Sequence, residues 1–151
     1  MKAISYIQFD GRAEEALTFY NNSLQASNMK FVRFSAFDQE SNMPLTAEEQ
    51  NMIMESYIEF SGNILMISDV PHFMESVVGD IKTGNSVLIS IIDADLETNK
   101  QIFERLSEGG TVIMPLSKTP WSSSFGILID KFDVMWKFNS DASKFIDSFE
   151  S

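Results

Sequence analysis

No cysteine occurs among the 151 residues, which excludes disulfides and thiolate metal ligands. The same absence suits a reducing compartment, so a cytoplasmic protein is expected. Histidine is nearly missing too: His72 is the single one, and a histidine-based dyad or triad has little to build on. Basic residues are scarce, 11 Lys and Arg against 22 Asp and Glu, a formal charge of −11. Such a surface repels phosphate backbones and anionic lipid, so neither nucleic acid nor a membrane is expected as a partner. No apolar run reaches the roughly 18 residues of a membrane span. "MKAISYIQF" has no long apolar core followed by small residues, so no signal peptide is expected. The glycines of "SEGG" and "FSGN" form no strand-to-helix phosphate fingerprint, which leaves nucleotide and S-adenosylmethionine binding without support.

What is present is a globular composition, 44% hydrophobic and 22% charged, in a chain long enough for one domain or two fused modules. "SYIQF" (5–9) reads as a strand. Ala13, Ala16, Leu17, Tyr20 and Leu24 follow at helical spacing. "MKFVRFSAF" (29–37) alternates like a strand, and 38–51 reads as a loop. "MIMESYIEF" and "NILMISD", joined by Ser61-Gly62, read as a hairpin. The order then recurs. "SVLISIID" (86–93) is a strand with Val87, Ile89 and Ile91 packed inward. A helix follows with Leu96, Ile102, Phe103 and Leu106 on its apolar face. "TVIMPL", "SFGILID" and "VMWKF" supply three more strands, and Ala142, Phe145, Ile146 and Phe149 share one face of a last helix. The chain therefore reads β-α-β-β-β twice, an internal repeat with almost no sequence identity between its halves.

"YIQFDGRAEEALTFY", "ILMISD", "GGTVIMPL" and "TPWSSSFGILIDKFDVMW" together resemble the PhnB-like branch of the vicinal oxygen chelate superfamily, relatives of glyoxalase and bleomycin-resistance proteins. The resemblance covers nearly the whole chain. It implies an α+β fold of two βαβββ modules, each curling a mixed sheet around a cleft, with a C-terminal helix. The expected organisation is module one at 1–70, a linker at 71–84, module two at 85–139 and the helix at 140–151. Homodimers are implied as well.

Enzymes of that superfamily hold a divalent metal with one side chain from each of four strands, usually His, Gln or Glu. Parity places those slots, because alternate strand residues face opposite sides. Ile7, Phe9, Leu65 and Ile67 pack on the helix side, leaving Tyr6, Gln8, Met66 and Ser68 to the cleft. In the second module Ser86, Ser90 and Lys137 are left, with Trp136 and Phe138 packed. The four slots then read Tyr6, Met66, Ser86 and Lys137, none of them a good ligand. No metal and no cofactor is expected. Glu55 stands where many relatives have His, and Asp133 where relatives usually have Gly.

Trp121 is a dimer-interface anchor, a ligand wall or plain packing, and Phe125 either lines the cleft or packs beneath it. Trp136, between Met135 and Lys137 on a strand, reads as core. Glu55, Tyr57 and Glu59 share one strand face, either a solvent edge or a cleft wall with a usable carboxylate. Lys137 either anchors an anion or pairs with Glu55. His72 is an exposed loop residue or, if its loop folds over the cleft, a proton carrier. The expected function is metal-independent binding of a small molecule, of the bleomycin-resistance type. Tyr57, Trp121 and Phe125 would enclose the ligand, and Gln8, Glu55 and Lys137 would orient it. The alternatives are a metal-dependent lyase, isomerase or dioxygenase, and a dimer whose partner is another macromolecule.

Overall fold

A computed structural model of the chain describes residues 1–37 and 43–149. It divides into two compact units, Met1–Lys82 and Thr83–Ser151. The expected loop at 38–51 lies outside the described residues over 38–42. Its remainder includes a 3-10 turn at Glu49–Asn51. No described helix is long and apolar enough to cross a membrane.

In the first unit β1 (Ser5–Phe9), α1 (Ala13–Ser23), β2 (Asn28–Arg33), β3 (Ile53–Phe60) and β4 (Asn63–Asp69) follow in order. The sheet runs β1-β4-β3-β2, with β1 parallel to β4 and the other pairs antiparallel. α1 packs on β3 and β4. Its Ala13, Ala16, Leu17 and Tyr20 are buried, as are Phe9, Ile53, Ile58, Leu65 and Ile67 of the sheet. The β3–β4 turn needs two left-handed residues, and Ser61 (φ 48°) and Gly62 (φ 78°) supply them.

Arg12, the residue before α1, offers the helix no side-chain cap. Asp69 at the end of β4 serves instead. Its Oδ1 accepts from the Gly11 and Ala13 N–H groups and its Oδ2 from Ile53 N–H, at 2.9, 2.9 and 3.0 Å. One carboxylate thus ties the entry of α1 and the start of β3 to the end of β4. Burial raises its pKa while those three donors oppose the rise.

Glu49 ties down the segment before β3. Its backbone N–H donates to Thr46 Oγ1 while its Oε1 accepts from Thr46 N–H, a reciprocal capping box. Its Oε2 accepts from His72 N–H at 2.5 Å, on the segment leaving β4. The Thr46 and His72 amides hold the carboxyl below its usual range. A carboxylate with a depressed folded pKa contributes stability above its unfolded value of about 4.3, and that contribution is lost as pH falls through the folded value. The stability gap between wild type and Glu49→Gln is therefore expected to be wide at pH 6 and to close below pH 4 in urea titrations. A gap independent of pH would contradict this role.

The second unit repeats the order after a short helix, α2 (Glu75–Val78), that closes the first. β5 (Ile89–Ile92), α3 (Leu96–Leu106), β6 (Thr111–Thr119), β7 (Ser122–Ile129) and β8 (Met135–Asn139) form a sheet of order β5-β8-β7-β6, again with one parallel pair, β5 and β8. α4 (Ala142–Asp147) follows. The fold is α+β, two βαβββ modules with four-stranded mixed sheets and a C-terminal helix.

Three expectations fail in this unit. β5 begins at Ile89, and Val87 is 84% exposed rather than packed inward. Parallel pairing sets Ile89 against Trp136, near the start of the five-residue β8, so Val87 has no strand to pair with. Leu96 is exposed as well. The buried stripe of α3 is Asn99, Ile102, Phe103 and Leu106, because Asp95 caps the helix one residue earlier through Thr98 N–H and turns Leu96 outward. Finally, α4 buries none of its residues. Asp93 and Asp141 hold this end through Ser143 and Ser123 rather than an apolar face doing so.

Trp136 and Phe138 are fully buried. The Phe138 ring meets Phe103 of α3 edge-on at 5.1 Å. The indole N–H of Trp136 donates to Asp130 Oδ2 at 2.9 Å, and Asp130 Oδ1 accepts from Phe132 and Val134 N–H. The turn "DKFDVMW" is thus wound around one buried carboxylate. Asp133 takes the left-handed conformation (φ 66°) that Gly adopts at less cost.

Candidate functional site

Each sheet has a helix-covered face and an open face. On the open face of the first sheet, register sets Tyr6 beside Met66 and Met66 beside Tyr57, one row across three strands. Tyr6, Gln8 and Glu55 are exposed, and Tyr57 and Met66 half-buried. Gln8 lies beside Ser68. The Tyr6 hydroxyl donates to Glu55 Oε1 at 2.7 Å, linking the edge strand β1 to β3 across β4. Burial pushes the Tyr6 phenol up to about 12, the Ser68 hydroxyl opposing the rise and Glu55 adding to it. Tyr6 therefore keeps its proton at neutral pH. Glu55 also accepts from Ser56 N–H at 3.2 Å, again on Oε1. A bulge between Val32 and Arg33 pairs Arg33 with Ile53 and Val32 with Glu55. That irregularity lets Ile53 and Ser56 both face inward while Glu55, Tyr57 and Glu59 turn out.

On the second sheet Lys137 lies between Ser90 and Ile127, and Phe125 beside Asn139. All five are exposed or half-buried and share the face opposite Trp136 and Phe138. Trp121 sits in the β6–β7 turn, 38% exposed, with its ring edge-on to Phe125 at 5.4 Å. Ser86 does not join them. It lies exposed before β5, and the register that matches Tyr6 with Met66 in the first unit matches Ser90 with Lys137 in the second. The slot expected at Ser86 is therefore at Ser90, four residues on and of the same parity. His72 is exposed, its Nδ1 3.2 Å from a Glu75 carboxylate oxygen.

Whether a divalent metal suits these positions depends on the donors. Tyr6, Met66, Ser90 and Lys137 offer a phenol kept protonated, a thioether, a hydroxyl and an ammonium. Divalent ions are held by imidazole, thiolate, carboxylate or carbonyl donors, and no group of three His, Cys, Asp or Glu that could hold an ion occurs among the described residues. The donor set does not fit a divalent metal.

Sequence reading missed Asp69, Glu49, Asp95 and Asp130 as structural acceptors. Two carried a local signal, the Thr-x-x-Glu of residues 46–49 and the Asp-x-x-Thr of residues 95–98. Asp69 had none, since tertiary structure alone brings its donors Gly11, Ala13 and Ile53 to it, whereas Phe132, Val134 and Trp136, which donate to Asp130, lie within the six residues that follow it.

No family model matches the chain. Protein YjdN of Escherichia coli K12 is 26% identical over 141 residues, 89% of this chain and 91% of that protein. The crystal structure of PA1353 from Pseudomonas aeruginosa superposes with a TM-score of 0.73 at 27% identity, covering 92% of this chain and 96% of that one. A PhnB protein from Bacillus cereus gives a TM-score of 0.67 at 24% identity, covering 92% and 98%. Fosfomycin-resistance and glyoxalase-related proteins share the architecture at lower identity. The chain has the fold of the vicinal oxygen chelate superfamily, and its structural neighbours are PhnB-like, glyoxalase-related and fosfomycin-resistance proteins.

Proposed function

We propose that the protein is a cytoplasmic, homodimeric binder of a small organic molecule, of the bleomycin-resistance type and independent of metal. The observation that carries this reading is the Tyr6–Glu55 hydrogen bond on an open sheet face, with Tyr6 in one register row with Met66 and Tyr57, and Glu55 two residues before Tyr57 on the same strand. Few polar groups set among aromatic and thioether surface is the usual make-up of a ligand site. Tyr57 stacks on the ligand, and Gln8 and Glu55 orient it. The Trp121–Phe125 pair with Lys137 offers a second surface of similar character. The charge of −11 supports neither nucleic acid nor anionic membrane as partner. A second copy of the chain is the expected partner, and exposed Phe145, Ile146 and Phe149 support it; a monomer by sedimentation would remove that part.

The test is a fragment screen read by the Tyr57 ring and Met66 methyl signals in NMR. A fragment that binds is expected to lose about tenfold in affinity or more on Tyr57→Ala, the effect of deleting a central aromatic contact. Unchanged affinity would remove this face as the site.

The second reading is a metal-dependent lyase, isomerase or dioxygenase. A fosfomycin-resistance protein of this fold, FosX from Listeria monocytogenes, has been crystallised with Mn(II) and a dihydroxypropylphosphonic acid, and here Glu55 puts an exposed carboxylate beside Tyr6. In that reading Glu55 acts as a base.

A further inference from the structure

Tyr6 spends its proton on Glu55, and the Ser68 hydroxyl already interacts with the phenol oxygen, so what Tyr6 has left to offer a ligand is acceptor capacity. Both donors that reach Glu55 among the described residues, Tyr6 Oη–H and Ser56 N–H, go to Oε1. Oε2 is left as an acceptor, and no Lys, Arg or His among the described residues lies within salt-bridge distance of this carboxylate. The other charges on this face are Glu59, whose Oε2 accepts from Asn28 Nδ2, and Lys30 on the edge strand opposite Tyr57. Two phenol rings, Tyr6 and Tyr57, stand in one register row next to Glu55, and aromatic faces attract cations. We infer that this face takes a planar organic cation bearing N–H donors, of the amidinium or guanidinium class. Glu55 is its counter-ion, and Tyr6 and Tyr57 are its platform. This rests on the reading of the face as a ligand site and adds the sign of the ligand's charge and its donor pattern.

Benzamidinium, benzamide and benzoate test it, since they share one shape and differ in charge and donors. Each is titrated into the full chain at neutral pH and followed by the Tyr57 ring and Met66 methyl signals. Benzamidinium is expected to bind at least tenfold more tightly than the other two, and Glu55→Gln to abolish the preference. Glu55 is solvent-exposed, so its substitution leaves the fold intact, which far-UV circular dichroism checks. Equal binding of all three probes, or a preference for benzoate, would overturn the inference and leave the ligand face standing. A benzamidinium preference that survives Glu55→Gln would also overturn it. Shifts at neither reporter with any probe would overturn both.

Discussion

Replacing Asp130 by Ala is expected to cost about 3–5 kcal/mol in urea unfolding, a large part of the stability of a domain this size. The carboxylate is 2% exposed and accepts from Phe132 N–H, Val134 N–H and the Trp136 indole. Removing it strands three buried or half-buried donors, each worth about 1–3 kcal/mol when unsatisfied, though such costs do not add fully. Asp130→Asn should cost less. Its carbonyl still accepts the two backbone donors, while its amide confronts the indole N–H. Adding Trp136→Phe to Asp130→Asn removes that donor–donor conflict and should cost less than the sum of the two single changes. Strict additivity would mean that Asp130 and Trp136 are not coupled as described.

The second large effect is expected at Gly110. A Cβ there would lie 2.2 Å from the Ile129 carbonyl oxygen and 2.9 Å from Asp130 Cα, both backbone atoms that no rotamer change can move aside. Gly110→Ala should destabilise by about 3 kcal/mol or more, at the upper end for overpacking. Gly84 is the control: its Cβ would meet nothing within 4 Å and its φ is not left-handed. Gly84→Ala should stay within about 0.5 kcal/mol of wild type. Equal, small effects at the two positions would contradict the close approach of β6 to the end of β7.

Strand and helix periodicity was enough to order the elements, because alternation on β7 and β8 matches burial residue by residue and on β3 apart from one bulge. On β4 it fails at the end, where Ser68, expected toward the cleft, is buried between Ile67 and Asp69. It misjudged ends. "SVLISIID" is apolar enough for a long strand, yet β8 is too short to pair with all of it, and partner length is not written in the segment itself. Apolar counting also selected Leu96 and passed over Asn99, whose amide donates to Ser124 Oγ at 3.1 Å inside the α3–sheet contact. Of the candidate ligand residues, parity placed Tyr6, Gln8 and Met66 on one open face and Lys137 on that of the other sheet; Tyr57 and Phe125, for which the sequence left two readings open, lie in register beside them. The Tyr6–Glu55 bond was beyond it. That contact spans 49 residues of sequence, and only the order β1-β4-β3 brings the two within reach.

This chain is proposed to bind an organic ligand through side chains unsuited to metal. Metal content per chain, measured on protein purified without chelator or affinity tag, tests it most directly, paired with melting in added Mn(II), Zn(II) and Ni(II). Far less than one ion per chain is expected, with a melting temperature unmoved by any of the three. Near-stoichiometric metal, or a clear stabilisation by one ion that Glu55→Gln removes, would contradict it and put the metal-dependent enzyme first.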